Sequence, residues 1–240
     1  MYKDKKIIAI IPARGGSKGL KNKNIKDMCG KPLIAYTIEN ALKSKYLDEI
    51  MVTTDSQDIA NISSEYGASV PFLRPDFLAC DSATSIDTVL HTLDFYEKEF
   101  NTHFDYVILL EPTSPLREDD DIDNMIEKLL DNSDNFDSLS SIGVINEHPS
   151  IVKKIEDNKL VPFCKELELT TRRQDNQEAY FPYGVGYLVN VEAFKDEKVF
   201  YTKRNDFYKI KRYQCYEIDD IYDFLAIENI IKYKNENKDI

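Results

Sequence analysis

The residues best suited to chemistry in this 240-residue chain lie close to its start. Pro12-Ala13-Arg14-Gly15-Gly16-Ser17-Lys18-Gly19-Leu20-Lys21-Asn22-Lys23-Asn24 combines two useful properties. Its glycines let backbone N–H groups approach an anion closely, and Arg14, Lys18 and Lys23 can neutralise phosphate charge. The spacing fits neither G-x-x-x-x-G-K-[ST] nor G-x-G-x-x-G, so a P-loop NTPase and a dinucleotide site both lose support. A loop of this composition is often surface punctuation. Its place straight after the apolar run Lys6 to Pro12 favours a ligand site instead, because ligands of open α/β sheets bind beyond the carboxyl ends of strands.

Two further groups stand out. Glu217 and Asp219 are two residues apart on an extended segment, which predicts that both side chains share a face. Carboxylates held together repel unless a cation separates them, and oxygen-only ligands beside a phosphate substrate suit Mg²⁺. Capping of the helix that follows is the competing reading for this acidic run, and Asp220 and Asp223 are expected to cap it. The second group is Glu111-Pro112-Thr113-Ser114-Pro115-Leu116-Arg117, at the end of a short apolar run. On its own it reads as a proline-bounded turn with a capping hydroxyl.

The elements that must position these groups alternate. Lys6 to Pro12 predicts a strand buried on both faces, and Pro32 to Lys43 an amphipathic helix. Strands are then expected at Glu49 to Thr54, Val70 to Leu73 and Tyr106 to Leu110. Helices are expected at Asp55 to Tyr66, Ser85 to Phe100 and about Asp120 to Leu130. This order implies an α/β fold with a doubly wound, mostly parallel, Rossmann-like sheet flanked by helices. From 138 to 216 helical periodicity fades and hairpin-like segments appear, among them Ile151 to Glu156 and Leu160 to Phe163 about a turn at Asp157-Asn158. This segment reads as a β-rich excursion from a single domain over 1–240, serving dimerisation, before a last helix at about Ile221 to Tyr233.

Composition narrows the function further. With 42% hydrophobic and 31% charged residues the chain is of the globular kind, and no apolar run approaches the ~20 residues of a membrane span. No signal peptide is evident, so a cytoplasmic location is expected. Cys29, Cys80, Cys164 and Cys215 are scattered, which argues against a disulfide framework or a zinc site. The net charge of −12 argues against nucleic acid and anionic membranes as partners. Residues 1–31 nevertheless carry nine basic residues against Asp4 and Asp27, which suits a compact anionic ligand or a solvated basic arm.

The run IIPARGGSKGLKNKNI resembles the nucleotide-binding loop of the CMP-sialic acid synthetases (acylneuraminate cytidylyltransferases). FLRP with DSATS after it, LLEPTSPLR, TRRQ and EIDDIYDF follow in that family's order across nearly the whole chain. The resemblance implies a homodimeric enzyme that joins CTP to an acidic nine-carbon keto sugar with Mg²⁺, releasing pyrophosphate. It implies that Ala13, Arg14, Gly15, Gly16, Ser17, Lys18, Lys23 and Asn24 hold the phosphates, and that Arg74 and Ser85 hold the cytidine half. Glu111, Thr113, Ser114, Arg117, Arg173, Tyr183 and Tyr187 would face the sugar. Phe200 and Tyr201 match an aromatic pair that the family donates across its dimer interface, core packing being the alternative. Asp219 and Glu217 would hold the metal, with Arg14, Lys23 and Asp219 carrying catalysis. Two departures, Glu111 where glutamine is common and Tyr183 where asparagine is common, point to a legionaminic- or pseudaminic-type acid. A CMP-Kdo synthetase-like enzyme and a non-catalytic nucleotide-binding module are the alternatives.

Overall fold

The computed structural model describes residues 1–164 and 177–237. Strand β1 (Ile7–Pro12) sets the architecture by simple alternation. Ile7, Ala9 and Ile11 point into one apolar layer, and Ile8 and Ile10 into the other. A strand apolar on both faces must be covered on both, each fully buried isoleucine contributing about 1.5–3 kcal/mol.

The short strands β2 (Asp27–Met28) and β3 (Lys31–Pro32) lead into helix α1 (Leu33–Lys43). Then follow β4 (Glu49–Thr53), α2 (Gln57–Glu65), α3 (Asp76–Ala79), α4 (Ser85–Phe100), β5 (Tyr106–Leu109) and α5 (Asp121–Asp131). The second half contributes β6 (Ser138–Val144), β7 (Lys153–Glu156), β8 (Lys159–Pro162), β9 (Tyr180–Asn190), α6 (Val191–Glu197), β10 (Asn205–Lys209) and α7 (Ile221–Glu236). The central sheet runs β10-β6-β9-β5-β1-β4. β1 pairs in parallel with β4 and β5, and β6 with β10, while β9 alone runs against its neighbours β5 and β6. Helices α1, α2 and α5 cover one face through Ile34, Ile38, Ile59, Met125 and Leu129. Helices α4 and α6 cover the other through Val89, Leu93, Tyr96 and Phe194. The doubly wound, mostly parallel sheet expected from the sequence is the observed fold.

Two expectations change. No strand forms at Val70 to Leu73: the chain makes one parallel bridge, Met51 to Ser69, and leaves the sheet. Pro71 lies within that stretch and Pro75 just beyond it, and proline has no N–H to give a ladder. Within the β-rich segment, β6, β9 and β10 are strands of the central sheet, and among the described residues only the β7–β8 hairpin forms a separate two-stranded sheet. Its turn residues, Asp157 (φ 50) and Asn158 (φ 60), take the left-handed conformation that tight hairpins need.

Helix α7 is held over a third apolar cluster by Phe224, Ile227 and Ile231, packed with Met28, Leu33, Leu116 and Ile218. Its start is fixed as the acidic run implied. Asp220 caps it by accepting from the N–H groups of Tyr222 (2.7 Å) and Asp223 (3.1 Å), and Asp223 accepts in return from Asp220 N–H. That cap aims the preceding residues, Glu217 to Asp219, at the sheet's carboxyl edge.

Candidate active site

The loop after β1 continues the sheet for one residue, Ala13 N–H donating to Thr53 O (3.0 Å), and then arches over the strand ends. Local polar contacts fix its shape. Gly15 N–H donates to the Asp55 carboxylate (2.8 Å), and buried Asn24 donates to Arg14 O (3.1 Å). Gly19 passes so close to the chain at Asp219 that a Cβ there would collide with the Asp219 carbonyl oxygen. Under this arch lies a cleft of about 430 Å³ with Arg14, Ser17, Lys18, Lys23, Asn24 and Arg74 among its walls.

The cations are held in two ways. Lys23 is deeply set, its side chain 15% exposed, and its ammonium donates to Ile218 O at 2.6 Å. Burial pushes its pKa below the usual lysine value, while Asp219 and Glu111 pull it back up and Arg14 adds to the lowering. Arg14 and Lys18 instead share the carboxylate of Asp81, at 2.9 and 2.6 Å, and hydrogen bonds from Lys18 and then Arg14 hold that carboxyl below its usual range. Arg74 is buried, donating to Thr53 O (2.6 Å) and Thr53 Oγ1 (3.2 Å), with one edge on the cleft.

Beyond Ser85 and Glu111 the cleft meets a smaller recess of about 150 Å³, walled by Leu109, Tyr187, Phe200 and Tyr201. Glu111 lies two residues past β5 and stands at the junction of the two spaces. Burial, and next the neighbouring charge of Glu217, raise its pKa, while Thr113 Oγ1 donates to it (3.3 Å). Gly184 has no side chain where a Cβ would strike Glu111, which leaves room for the carboxyl group. Tyr187 stacks edge-on with Tyr201 (5.7 Å between centroids), and Phe200 packs on Phe194 (5.0 Å) in the core. Phe200 is thus a core residue, and both members of the pair wall a recess of their own chain.

The structure brings most of the expected residues together and sorts the rest. Arg14, Ser17, Lys18, Lys23, Asn24, Arg74, Ser85, Glu111, Thr113 and Asp219 all line the cleft. Ala13 is buried, and Gly15 spends its N–H on Asp55. Gly16 is exposed and is not among the residues lining the cleft.

Arg117, expected to face the sugar, is buried, and its guanidinium donates to the carbonyls of Val185, Ser114, Glu111 and Gly184 and to Thr37 Oγ1, tying the Glu111 turn to β9. Ser114 is buried and donates to Glu217 Oε1 (3.0 Å), which also accepts from Gly184 N–H (2.5 Å). The expected shared outlook of Glu217 and Asp219 is therefore absent: Glu217 braces the turn, while the Asp219 side chain is 92% exposed and borders the cleft. Tyr183 packs on Phe181 (5.2 Å) rather than in the recess, and Arg173 lies outside the described residues.

Asp81 and Asp55 are the site residues that the sequence did not single out. Asp81 lies in the DSATS run, whose acid four residues before the start of α4 was the available signal; Asp55 lies two residues past β4, at the same sheet edge as the loop. Among the described residues no three His, Cys, Asp or Glu side chains form a metal cluster of their own. Asp219, an oxygen donor open on a cleft lined with cations, would suit Mg²⁺ that arrives with a phosphate ligand.

A mostly parallel sheet with a cation-walled cleft over its carboxyl edge defines an α/β nucleotide-binding protein. More narrowly, the chain belongs to the cytidylyltransferase family, whose sequence model matches residues 8–239. It is 35% identical over 233 residues to an N-acylneuraminate cytidylyltransferase of Escherichia coli O18:K1:H7, covering 97% of this chain and 54% of that one. This chain thus spans about half the length of that relative. It is 31% identical to a pseudaminic acid cytidylyltransferase of Campylobacter jejuni over 97% of this chain and 99% of the other. It is also 37% identical to a CMP-N,N'-diacetyllegionaminic acid synthase of Legionella pneumophila over 85% of this chain and 75% of the other. A CMP:2-keto-3-deoxy-manno-octonic acid synthetase solved with CTP shares the fold, with a TM-score of 0.69 at 15% identity over 95% of this chain and 99% of that one.

Proposed function

We propose that this chain transfers a cytidylyl group from CTP to an acidic nine-carbon keto sugar of the sialic acid kind. The relatives named for acylneuraminate, pseudaminic and legionaminic acids support that substrate class. The observation that carries the reading is the apposition across one cleft of Arg14, Lys18 and Lys23 from the first loop and Asp219 from the start of α7. The hydroxyl oxygen on the anomeric carbon attacks the α-phosphorus of CTP in line. An O–P bond forms, the bond to the oxygen bridging the β-phosphate breaks, and its electron pair leaves with pyrophosphate. The hydroxyl proton passes to solvent.

Little covalent chemistry falls to the protein, so positioning and charge neutralisation carry the rate. Lys23 and Arg14 face the charge that develops at the α-phosphate and on the leaving group. Arg74 and Ser85 hold the cytidine half, and the recess of Tyr187 and Tyr201 beyond Glu111 receives the sugar. Asp219 would hold Mg²⁺ at the edge of the cleft, where the ion would supply further neutralisation of phosphate charge. The enzyme works in the cytoplasm as a homodimer. Ile155, Leu160 and Phe163 on or beside the β7–β8 hairpin and Phe181 on β9, all at least half exposed, form the surface between subunits. Among the described residues no helix is long and apolar enough to cross a membrane.

The test is pyrophosphate release from CTP and Mg²⁺ across a panel of nonulosonic acids and the eight-carbon acid Kdo. Release is expected with a nonulosonic acid and with CTP alone among nucleotides. Release with no acid in the panel, or only with another nucleotide, overturns the reading.

A further inference from the structure

Asp81 places one carboxylate oxygen on each of two cations, Oδ1 on Arg14 Nη1 at 2.9 Å and Oδ2 on Lys18 Nζ at 2.6 Å. All three side chains border the cleft and are open to solvent, with Asp81 58% exposed. Two oxygens of one anion spanning an arginine and a lysine is how a phosphate would meet the same pair. Lys23, deeper in the cleft, is held differently, by the neutral carbonyl of Ile218 and with Asp219 only at 4.0 Å. An acid therefore neutralises the outer cations, and a dipole steadies the inner one.

We propose that Asp81 is an internal counter-anion that sets which phosphate chains the loop accepts, binding Arg14 and Lys18 until a sufficiently charged chain displaces it. The inference rests on the proposed use of CTP. A single phosphate competes poorly with a carboxylate already in place, whereas a triphosphate reaches past Lys23 and brings more charge than one carboxylate can match. The same exchange runs backwards after transfer: Asp81 re-engages its partners as pyrophosphate departs. Its position makes the exchange local. Asp81 lies between α3 and α4, and the next turn is anchored independently by Thr84, which accepts from Asp87 N–H (3.1 Å) while Asp87 accepts from Thr84 N–H (3.1 Å). The carboxylate can swing aside without unseating the helix.

The experiment is calorimetric titration of the wild-type chain, Asp81→Asn and Asp81→Glu with CTP, pyrophosphate and CMP, each in Mg²⁺. Losing two exposed ion pairs that compete with the ligand should lower Kd for CTP and pyrophosphate about three- to tenfold in Asp81→Asn. CMP should change less than twofold, and Asp81→Glu should resemble wild type. Weaker or unchanged binding of CTP and pyrophosphate in Asp81→Asn overturns the proposal, because Asp81 would then align the cations or bind metal itself. An equal gain for CMP overturns the selectivity. With Asp81 exposed, all three proteins should melt within a few degrees of one another. Wild-type turnover with a nonulosonic acid is read separately, so failure here and failure of the cytidylyltransferase reading remain distinguishable.

Discussion

Lys23 and Ile218, 195 positions apart in sequence, are joined by a 2.6 Å hydrogen bond from ammonium to carbonyl. That bond fixes the acidic segment before α7 against the first loop and sets the width of the cleft between them. Lys23→Met keeps the length and apolar stem but removes the donor and the charge. The expected result is a fall of about 10²–10³ in kcat/KM with a melting temperature within a few degrees of wild type. Burial already disfavours the ammonium, so folding loses little when it goes. Steady-state kinetics beside thermal denaturation check this; near-full turnover would remove Lys23 from the chemistry.

Gly19 tests the same apposition from the other side. A methyl group there meets the Asp219 carbonyl, which must move away. Gly19→Ala should therefore cut kcat at least tenfold and raise the Mg²⁺ concentration needed for half-maximal rate, since a displacement of about 1 Å can cost 10². An unchanged Mg²⁺ titration would place Asp219 outside the metal's reach.

Arg117 is predicted to act on stability. Its five donors meet four carbonyls and a hydroxyl, and lysine offers only three donors on a single nitrogen. Arg117→Lys should cost about 2–4 kcal/mol in urea unfolding by leaving buried carbonyls unpaired. A loss below 1 kcal/mol would mean that water replaces those bonds.

Glu111 supplies a pH dependence. Burial and Glu217 raise its folded pKa above the ordinary value of 4.5, so the folded chain keeps a proton that the unfolded chain releases. Stability therefore falls as pH rises from 4.5 through the folded value, and the penalty is complete above it. Glu111→Gln lacks that titration. Its melting temperature should gain on wild type as pH rises from about 4 to 7 and show no gain at pH 4. A gap that is constant with pH would mean that Glu111 titrates alike in both states.

Much of the fold was legible because its signals are local. β1 announces itself by an unbroken apolar run, and α4 by apolar spacing over Ser85–Phe100 behind the capping pair Thr84 and Asp87. Sheet membership is not local. Nothing in the alternation of β9 says that it inserts between β5 and β6, so a segment read as an excursion supplies half the central sheet. The same limit governs the site. The loop cations and Asp219 were legible from type and position. Arg117 and Glu217 were legible only as charges, since their burial against the β9 backbone depends on a strand partner chosen far along the chain. Asp81 carries no local signal of its role, because only the folded chain brings it to Arg14 and Lys18.

In the proposed complex, CTP lies between the loop cations and Asp219. A crystal structure of the protein with CTP and Mg²⁺ tests it most directly. Triphosphate oxygens are expected within hydrogen-bonding distance of Arg14, Lys18 and Lys23, with the metal on Asp219. A triphosphate bound elsewhere, or a cleft still closed by the Asp81 ion pairs under saturating CTP, would contradict it.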